Sequence, residues 1–515
     1  MSPLFGSHRE LGLSSTWMTA DGRYGPYGFG EDDPTTYKRS RVDWDLLDWG
    51  ELVDQCLEPA SRHESQHPAM PRPMLKHSKP KRFKSDDHPH TTRTALVLRS
   101  YEGFNYTEEV MWMIRSLITE ASLKTGGRYS LILLVNVQDK GWAIHESPEH
   151  YQRAFQAMHI PPELWSLTLL WDENLLESWY PLATEHRTMW QVNQPLQLLA
   201  HHYPEYDHFW QLEMDQRFMG DALEYLDAVH TFSLLEPRKQ ALERATYPYI
   251  ERNYKSYDDF INQVSLANNG GSRAWPALRI PDVEPIGPEP PTPHPEDTRG
   301  YSSYGLGEEA DVVLTSFCED VRDVPEWVFN DWYRGELTQG SETPRFFCPP
   351  AIARASRKLL GAVHEAQVRT GISVPSEATL PSWALWLGLK LSYPPQPVYM
   401  QPAGGAVAAP AARVQEDYKE EEEDESFTHE DRFEVLRTLL GDRPFDSRDG
   451  LAHAKPQSFA SKGLTYWWAS DYPRQVMDAW MGDDTNDMDA RAVAPMLVEH
   501  DGQVYAPNFV MHPVK

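Results

Sequence analysis

The chain has 515 residues, enough for about two to four domains at roughly 150 residues each, and its 40% hydrophobic and 12% aromatic content excludes a disordered protein. A formal net charge of −29 excludes a general nucleic-acid binder, which needs clustered Lys and Arg against phosphate. No apolar run approaches the roughly 20 residues of a membrane span, and three cysteines (Cys56, Cys318, Cys348) with no CxxC pair argue against a disulfide framework or a cysteine zinc site.

Residues 1–92 read as an irregular arm and linker. "STWMTADGRYGPYGFGEDDP" is aromatic enough to pack on the main body, and the opening "MSPLFGSHRELGLSSTWM" has no signal-peptide pattern. The basic, Pro-rich "PRPMLKHSKPKRFKSDDHPH" reads as a solvated linker ahead of a nuclear-import signal. The histidines of this region (His63, His67, His77, His88, His90) have no regular metal spacing.

A strand–helix rhythm occupies 93–235. "TALVLRSY" reads as a buried strand. In the next segment Val110, Met113, Ile114, Leu117, Ile118 and Ala121 recur at helical spacing, with Asn105 and Glu108 as a capping box. "YSLILLVNV" is a second strand, and Ser147 with Pro148 opens a second helix. "SLTLLWD" is a third strand, "TMWQVNQPLQLLAHHY" a helix and "DHFWQLEMD" a fourth strand. This alternation predicts an α/β fold, a mostly parallel sheet flanked by helices. Residues 236–300 read as an irregular Pro-rich insertion, 301–400 as a second half with "GEEADVVL" and "PSEATLPSWALWLG", 401–430 as an acidic loop and 431–515 as a C-terminal segment returning to the site. There is no internal repeat.

The fourth strand ends in two carboxylates, Glu213 and Asp215. Residues two apart on a strand share a face, and ligands of an open parallel sheet bind beyond the strands' carboxyl ends. Two such acids repel, which shifts their pKa values or recruits a hard divalent cation, Mg²⁺ or Mn²⁺, able to hold a diphosphate. The plainer reading is a pair of surface acids neutralised by Arg217 and Arg187. His512, in "FVMHPVK", is an isolated imidazole that could complete a coordination sphere. Arg99 ends the first strand and suits a diphosphate or a base. Glu377 is either a general base or a helix cap near Leu380. Glu308, Glu309 and Asp311 form a rival acidic cluster at the start of another strand, and Trp467 and Trp468 could stack on sugar rings or pack in the core.

"LSSTWMTADGRYGPYGFGE", "RVDWDLLDWGEL", "LITEASLKTGGRYSLILLVNV", "YDHFWQLEMDQRF", "GEEADVVL" and "PNFVMHPVK" resemble a fungal family catalogued as domain of unknown function 3405. That family is similar, more weakly, to glycosyltransferases of the GT-A type, which bind a nucleotide-sugar through an Asp-x-Asp motif and a divalent metal. The resemblance implies a GT-A-like (Rossmann-like) fold and sugar transfer to a carbohydrate or other hydroxyl acceptor. It implies Asp215 as main metal ligand and His512 as C-terminal ligand, with Glu213 in the place of the first Asp, facing ribose or metal. Arg99, Glu213 and Arg217 would lie on the donor side, Glu377 would be the base, and Glu308, Asp311, Trp467 and Trp468 would lie on the acceptor side. A metal-dependent phosphohydrolase or nucleotidyltransferase, and a non-catalytic carbohydrate or protein binder, are the alternatives. For location, unpaired cysteines favour the cytoplasm, whereas the sequon Asn105-Tyr106-Thr107 favours the secretory lumen.

Overall fold

A computed structural model describes residues 2–56, 74, 92–401, 463–466, 470–482 and 494–515, apart from 15, 34, 36, 269, 272–276, 292–302, 317, 324–328, 330–342 and 350. The N-terminal histidines, most of the basic linker, the end of the Pro-rich insertion, nearly all of the acidic loop, Trp467 and Trp468 lie outside the described residues.

The repeating segments form the expected elements. Strand β1 (Thr94–Tyr101) leads to helix α1 (Glu108–Leu117), β2 (Tyr129–Asn136) to α2 (Pro148–Ala157), and β3 (Thr168–Trp171) to α3 (Glu173–Trp179) and α4 (Gln194–His202). Strand β4 (His208–Glu213) follows, then the short β5 (Arg217–Phe218) and α5 (Ala222–Leu235). Ser147 caps α2 as expected, accepting from the His150 N–H at 3.2 Å. Two starts differ from the sequence reading. Thr107, rather than Asn105, caps α1. Helix α4 begins at Gln194, because Pro195 fits only a first helical turn.

The later half adds β6 (Val312–Leu314), β7 (Ile352–Ser356), α6 (Arg357–Thr370), α7 (Ser376–Trp386) and β8 (Leu391–Ser392) to the same sheet. Its order is β8-β6-β7-β4-β1-β2-β3. All neighbours run parallel except β7, which is antiparallel to both β4 and β6. The fold is therefore α/β, with a mostly parallel central sheet flanked by helices.

Strand alternation divides the core in two. Leu96, Leu98, Leu131, Leu133, Trp210 and Leu212 pack with Met113, Ile114 and Leu117 of α1 and Tyr225 and Val229 of α5 on one face. Ala95, Val97, Ile132, Leu134 and Phe209 pack with Leu175 of α3, Leu198 of α4, Leu359 of α6 and Trp383 of α7 on the other. Burial on both faces explains why these strands read as continuous apolar runs.

A third cluster joins the chain's two ends. Tyr24 of the N-terminal arm packs with Trp112, Tyr472, Trp480, Phe509 and Met511. Trp17–Met18 pairs antiparallel with Ala506 and Pro507. Arg23, 1% exposed, pairs with the buried Glu120 and donates to the Phe218 carbonyl at 2.9 Å. Glu120 also accepts from the Ala222 N–H at 2.8 Å, so one ion pair ties the arm to α5 and β5.

The cysteine expectation is corrected. Cys318 and Cys348 form a disulfide with 4.4 Å between their Cα atoms, while Cys56 is free and exposed. Their separation of 30 residues carries no signature. Adjacency arises because Cys318 follows β6 while Cys348 precedes its antiparallel neighbour β7. With a disulfide in place, the case for the cytoplasm from unpaired cysteines falls away.

Removing one partner of a buried ion pair strands the other charge. Arg23→Ala should therefore cost about 3–5 kcal/mol in chemical denaturation. A loss below about 1 kcal/mol would show that the arm is not held by this pair.

Candidate functional site

Glu213 is the last residue of β4, and Asp215 lies in the turn just beyond. The sheet's winding reverses here: β1, β2 and β3 step one way from the centre, while β4 lies on the other side of β1. Arg99 and Glu213 are direct neighbours across β1 and β4 at this reversal. Such a switch point leaves a crevice at the carboxyl ends of the strands.

His512 reaches the same point from the C-terminal segment. Strand β9 (Val510–Met511) pairs antiparallel with β5. The His512 N–H donates to the Thr465 carbonyl at 3.0 Å, and the Val514 N–H to the Asp215 carbonyl at 2.6 Å. The crossing is tight. A Cβ on Gly220 would lie 2.3 Å from the Asn508 side chain, so the position excludes any side chain.

Nε2 of His512 lies 2.7 Å from Glu213 Oε2 and 3.2 Å from Asp215 Oδ1. Burial alone would lower the pKa of this imidazole, but the hydrogen bonds to Asp215 and Glu213 and their charges raise it to about 9. Burial would raise Asp215 in turn, but the His512 hydrogen bond and charge, the Lys515 charge and a backbone hydrogen bond together hold the carboxyl below its usual value. Glu213 also pairs with Arg99. Surface pairing with Arg217 and Arg187 is not what neutralises these acids: Arg217 donates to Glu109 at 3.0 Å and Arg187 pairs with Glu185.

The donor set fits a divalent cation. One ligand atom from each of Glu213, Asp215 and His512 can lie within 4.8 Å of the others. Two carboxylates and one imidazole suit Mn²⁺, and Mg²⁺ less well because of the nitrogen. In this structure Nε2 of His512 lies within hydrogen-bonding distance of both acids.

Glu213 and Asp215 open onto a cleft of about 970 Å³ above the ends of β1 to β4, within the usual range for small-molecule sites. Arg99, Glu213, Asp215 and Arg217 line it. Arg217 is 3% exposed and committed to Glu109 and to the carbonyls of Met214 and Gln216, which makes it a brace for the turn. Glu377 lies in the first turn of α7, which begins four residues before Leu380. Burial lifts its carboxyl to about 7, with Arg99 opposing and Glu213 adding to the effect. Its Oε2 is buried without a hydrogen-bond partner.

The acidic cluster of the second half is elsewhere. Ser356 pairs in register with His208 at the start of β4, and its N–H donates to the Asp311 carbonyl at 2.7 Å. Asp311 is thus five residues down the strands from Glu213, roughly 17 Å at ~3.3 Å per residue. Glu308 pairs with Arg238 at 2.7 Å, and Asp311 accepts from the Ser356 hydroxyl at 2.9 Å. Burial would raise Glu309, but its bond to His230 and the charges of His208 and Arg354 hold it at about 2. These residues close the opposite end of the sheet.

The structure adds groups that sequence reasoning missed. Asn136, 8% exposed, lines the cleft with its amide nitrogen unpartnered. A polar residue closing the apolar run "YSLILLVN" was a readable signal. Tyr101 and Phe104 form a T-shaped pair on the rim, 5.4 Å between centroids. Arg474 and Lys515 also line the cleft, but nothing in their local sequence marks them.

Residues 18–515 match the family described as "Protein of unknown function (DUF3405)". The chain belongs to this family. No curated protein matches its sequence. Membership covers the N-terminal arm from Met18, β4 with its acidic end and the His512 segment, so the whole candidate site lies inside the family's extent.

The His512 pKa sets a pH window for stability. The folded value is raised above the unfolded 6.5, so the contribution is full below pH 6.5 and is lost as pH rises through about 9. In metal-free protein, His512→Gln should cost on the order of 3 kcal/mol at pH 6 and much less above pH 9. A stability difference that does not change between those pH values would contradict the imidazolium bridge.

Proposed function

We propose that this protein is a metal-dependent glycosyltransferase that moves a sugar from a nucleoside-diphosphate sugar to an acceptor hydroxyl. One observation carries the reading. Two carboxylates and a buried imidazole gather at the topological switch point of a mostly parallel sheet, and the carboxylates line a cleft that also holds Arg99, Arg474 and Lys515. An anionic diphosphate needs a local positive field in a chain of net charge −29, and these groups with a bound cation supply it. The GT-A resemblance of the sequence supports the same reading.

On this reading Asp215 and His512 hold Mn²⁺ or Mg²⁺, and Glu213 completes the set or turns to the ribose. A divalent ion held there would supply positive charge to neutralise the leaving diphosphate. Arg99, Arg474 and Lys515 flank the phosphates and stabilise the leaving group's charge. Tyr101 and Phe104 offer an aromatic rim, and Asn136 an amide, to a nucleobase. The acceptor oxygen attacks the anomeric carbon, the bond from that carbon to the phosphate oxygen breaks, and the hydroxyl proton passes to Glu377. A carboxyl near pH 7 is well matched to that task.

Thermal shifts with UDP, GDP, UDP-glucose and GDP-mannose, with and without Mn²⁺, test the reading. One nucleotide should stabilise the protein only with metal, by roughly 2.7 kcal/mol at 100 times its dissociation constant. Asp215→Ala should abolish the effect. No response to any nucleotide, in a protein that melts cooperatively, would reject the transferase and favour a binder. Release of phosphate from nucleotides lacking a sugar would favour a phosphohydrolase instead. With a working donor, Glu377→Gln should lower kcat about 10²- to 10⁴-fold with little change in donor KM.

A further inference from the structure

The Cys318–Cys348 disulfide lies at the site's end of the sheet. Cys318 comes four residues after β6 ends at Leu314, and Cys348 four residues before β7 begins at Ile352. Because β7 runs antiparallel to β4, with Ile352 beside Leu212, Cys348 precedes β7 on the side of the sheet where β4 ends at Glu213. Both cysteines are fully buried, 0% and 1% exposed.

The bridged segments grip α7 along its length. The Cys348 N–H donates to the Glu377 carbonyl at 3.1 Å. The Phe346 N–H donates to the Ser382 hydroxyl at 2.9 Å, and Trp386 Nε1 donates to the Pro344 carbonyl at 2.7 Å. Glu319–Asp320 pairs antiparallel with Phe346–Phe347, so the disulfide closes a small two-stranded clamp. Cys318 anchors its other side, donating its N–H to the Ala245 carbonyl at 3.1 Å and accepting from the Thr246 hydroxyl at 3.1 Å. The first turn of α7 has no side-chain cap, since its N-cap is Pro375. The backbone of Glu377 is thus fixed from outside its helix, through Cys348.

We propose that the Cys318–Cys348 disulfide is a positioning element for Glu377, holding its carboxyl buried at the first turn of α7. The inference rests on the transferase reading for its functional consequence only. Glu213, Asp215 and His512 lie on β4, its following turn and the C-terminal segment, whereas the clamp's hydrogen bonds named above run to α7 and to Ala245 and Thr246. Opening the bridge should therefore disturb the base and spare the metal and donor groups. A dithiol opens it by thiolate attack on one sulfur and resolution of the mixed disulfide, leaving two cysteine thiols and a cyclic oxidised reagent.

The test uses the full chain with Cys56→Ser, which removes the exposed thiol and its exchange reactions. Intact and dithiothreitol-opened protein are treated with a water-soluble carbodiimide and an amine, and Glu377 labelling is read by peptide mass spectrometry. Labelling should rise at least severalfold on opening, while binding of Mn²⁺ with UDP or GDP stays unchanged. Turnover of UDP-glucose or GDP-mannose should fall towards that of Glu377→Gln, about 100-fold or more. Equal protection of Glu377 and equal turnover in a protein shown to carry two free thiols would overturn the proposal. Should Cys318→Ser/Cys348→Ser fail to fold, hydrogen exchange on the reduced wild type decides. Amides of 376–380 should lose protection well before those of His208–Glu213, and simultaneous loss would show a merely structural bond and overturn it. The labelling needs no turnover, so a chain that binds no nucleotide would reject the transferase reading without deciding the role of the disulfide.

Discussion

The contact on which this end of the sheet depends is one buried imidazole, His512, shared between two carboxylates, Glu213 and Asp215. Glu213 also holds Arg99, and the charge of Glu377 is felt by both Arg99 and Glu213. Two fixed cationic groups face three acids. The balance is met in this structure by the raised pKa of His512 and by burial that disfavours charge on Glu377. Sites that store unlike carboxyls in unlike environments are suited to separate tasks. Here the solvated pair faces the cleft and the isolated acid stands beside it.

Long-range architecture serves this convergence. The imidazole lies 299 residues beyond Glu213, and it arrives only because β9 adds to β5 and the last residues lie back along the turn. The N-terminal arm packs the outer side of that return. Tyr24 and Trp480 meet edge to face at 6.0 Å, and Arg23 holds the Phe218 carbonyl opposite Val510. Both ends of the chain therefore brace one hairpin, and through it one histidine. The disulfide braces the opposite wall. These supports lie on separate elements, one beside His512 and the other beside the first turn of α7.

What could be read in advance follows the range of the interaction. Strands β1 to β4 were legible because burial on both faces makes each a continuous apolar run, and α2 because Ser147 and Pro148 act within one turn. Glu213, Asp215 and Arg99 were legible because strand ends and ligand sites coincide in parallel sheets. Glu308 and Asp311 look equally suggestive in one dimension, but they begin a strand instead of ending one, and that places them at the far end of the sheet. The polarity of β6 decides this, and no local pattern reports it. The disulfide and Arg474 were not legible at all. Each depends on a chain crossing fixed by packing, and a cysteine separation of 30 residues or an arginine on a late helix looks ordinary in isolation.

Arg99 shows how the pieces couple. Its guanidinium is held by Glu213, yet its Nε is buried with no partner, so its donors are only partly used. An arginine presents five donors in a rigid fork, and a single carboxylate cannot satisfy them all. On the proposed reading, a cation shared by Glu213, Asp215 and His512 weakens the hold of Glu213 on Arg99 and frees the fork for a phosphate. Binding there would require His512 to lose the proton on its ligating nitrogen, because an imidazole ligates only when that nitrogen is deprotonated. Metal, phosphate and proton then act as linked ligands of one electrostatic cluster. A site balanced internally by a proton and an ion pair stays stable when empty, and it exposes its cationic groups when the metal and the anionic ligand arrive together.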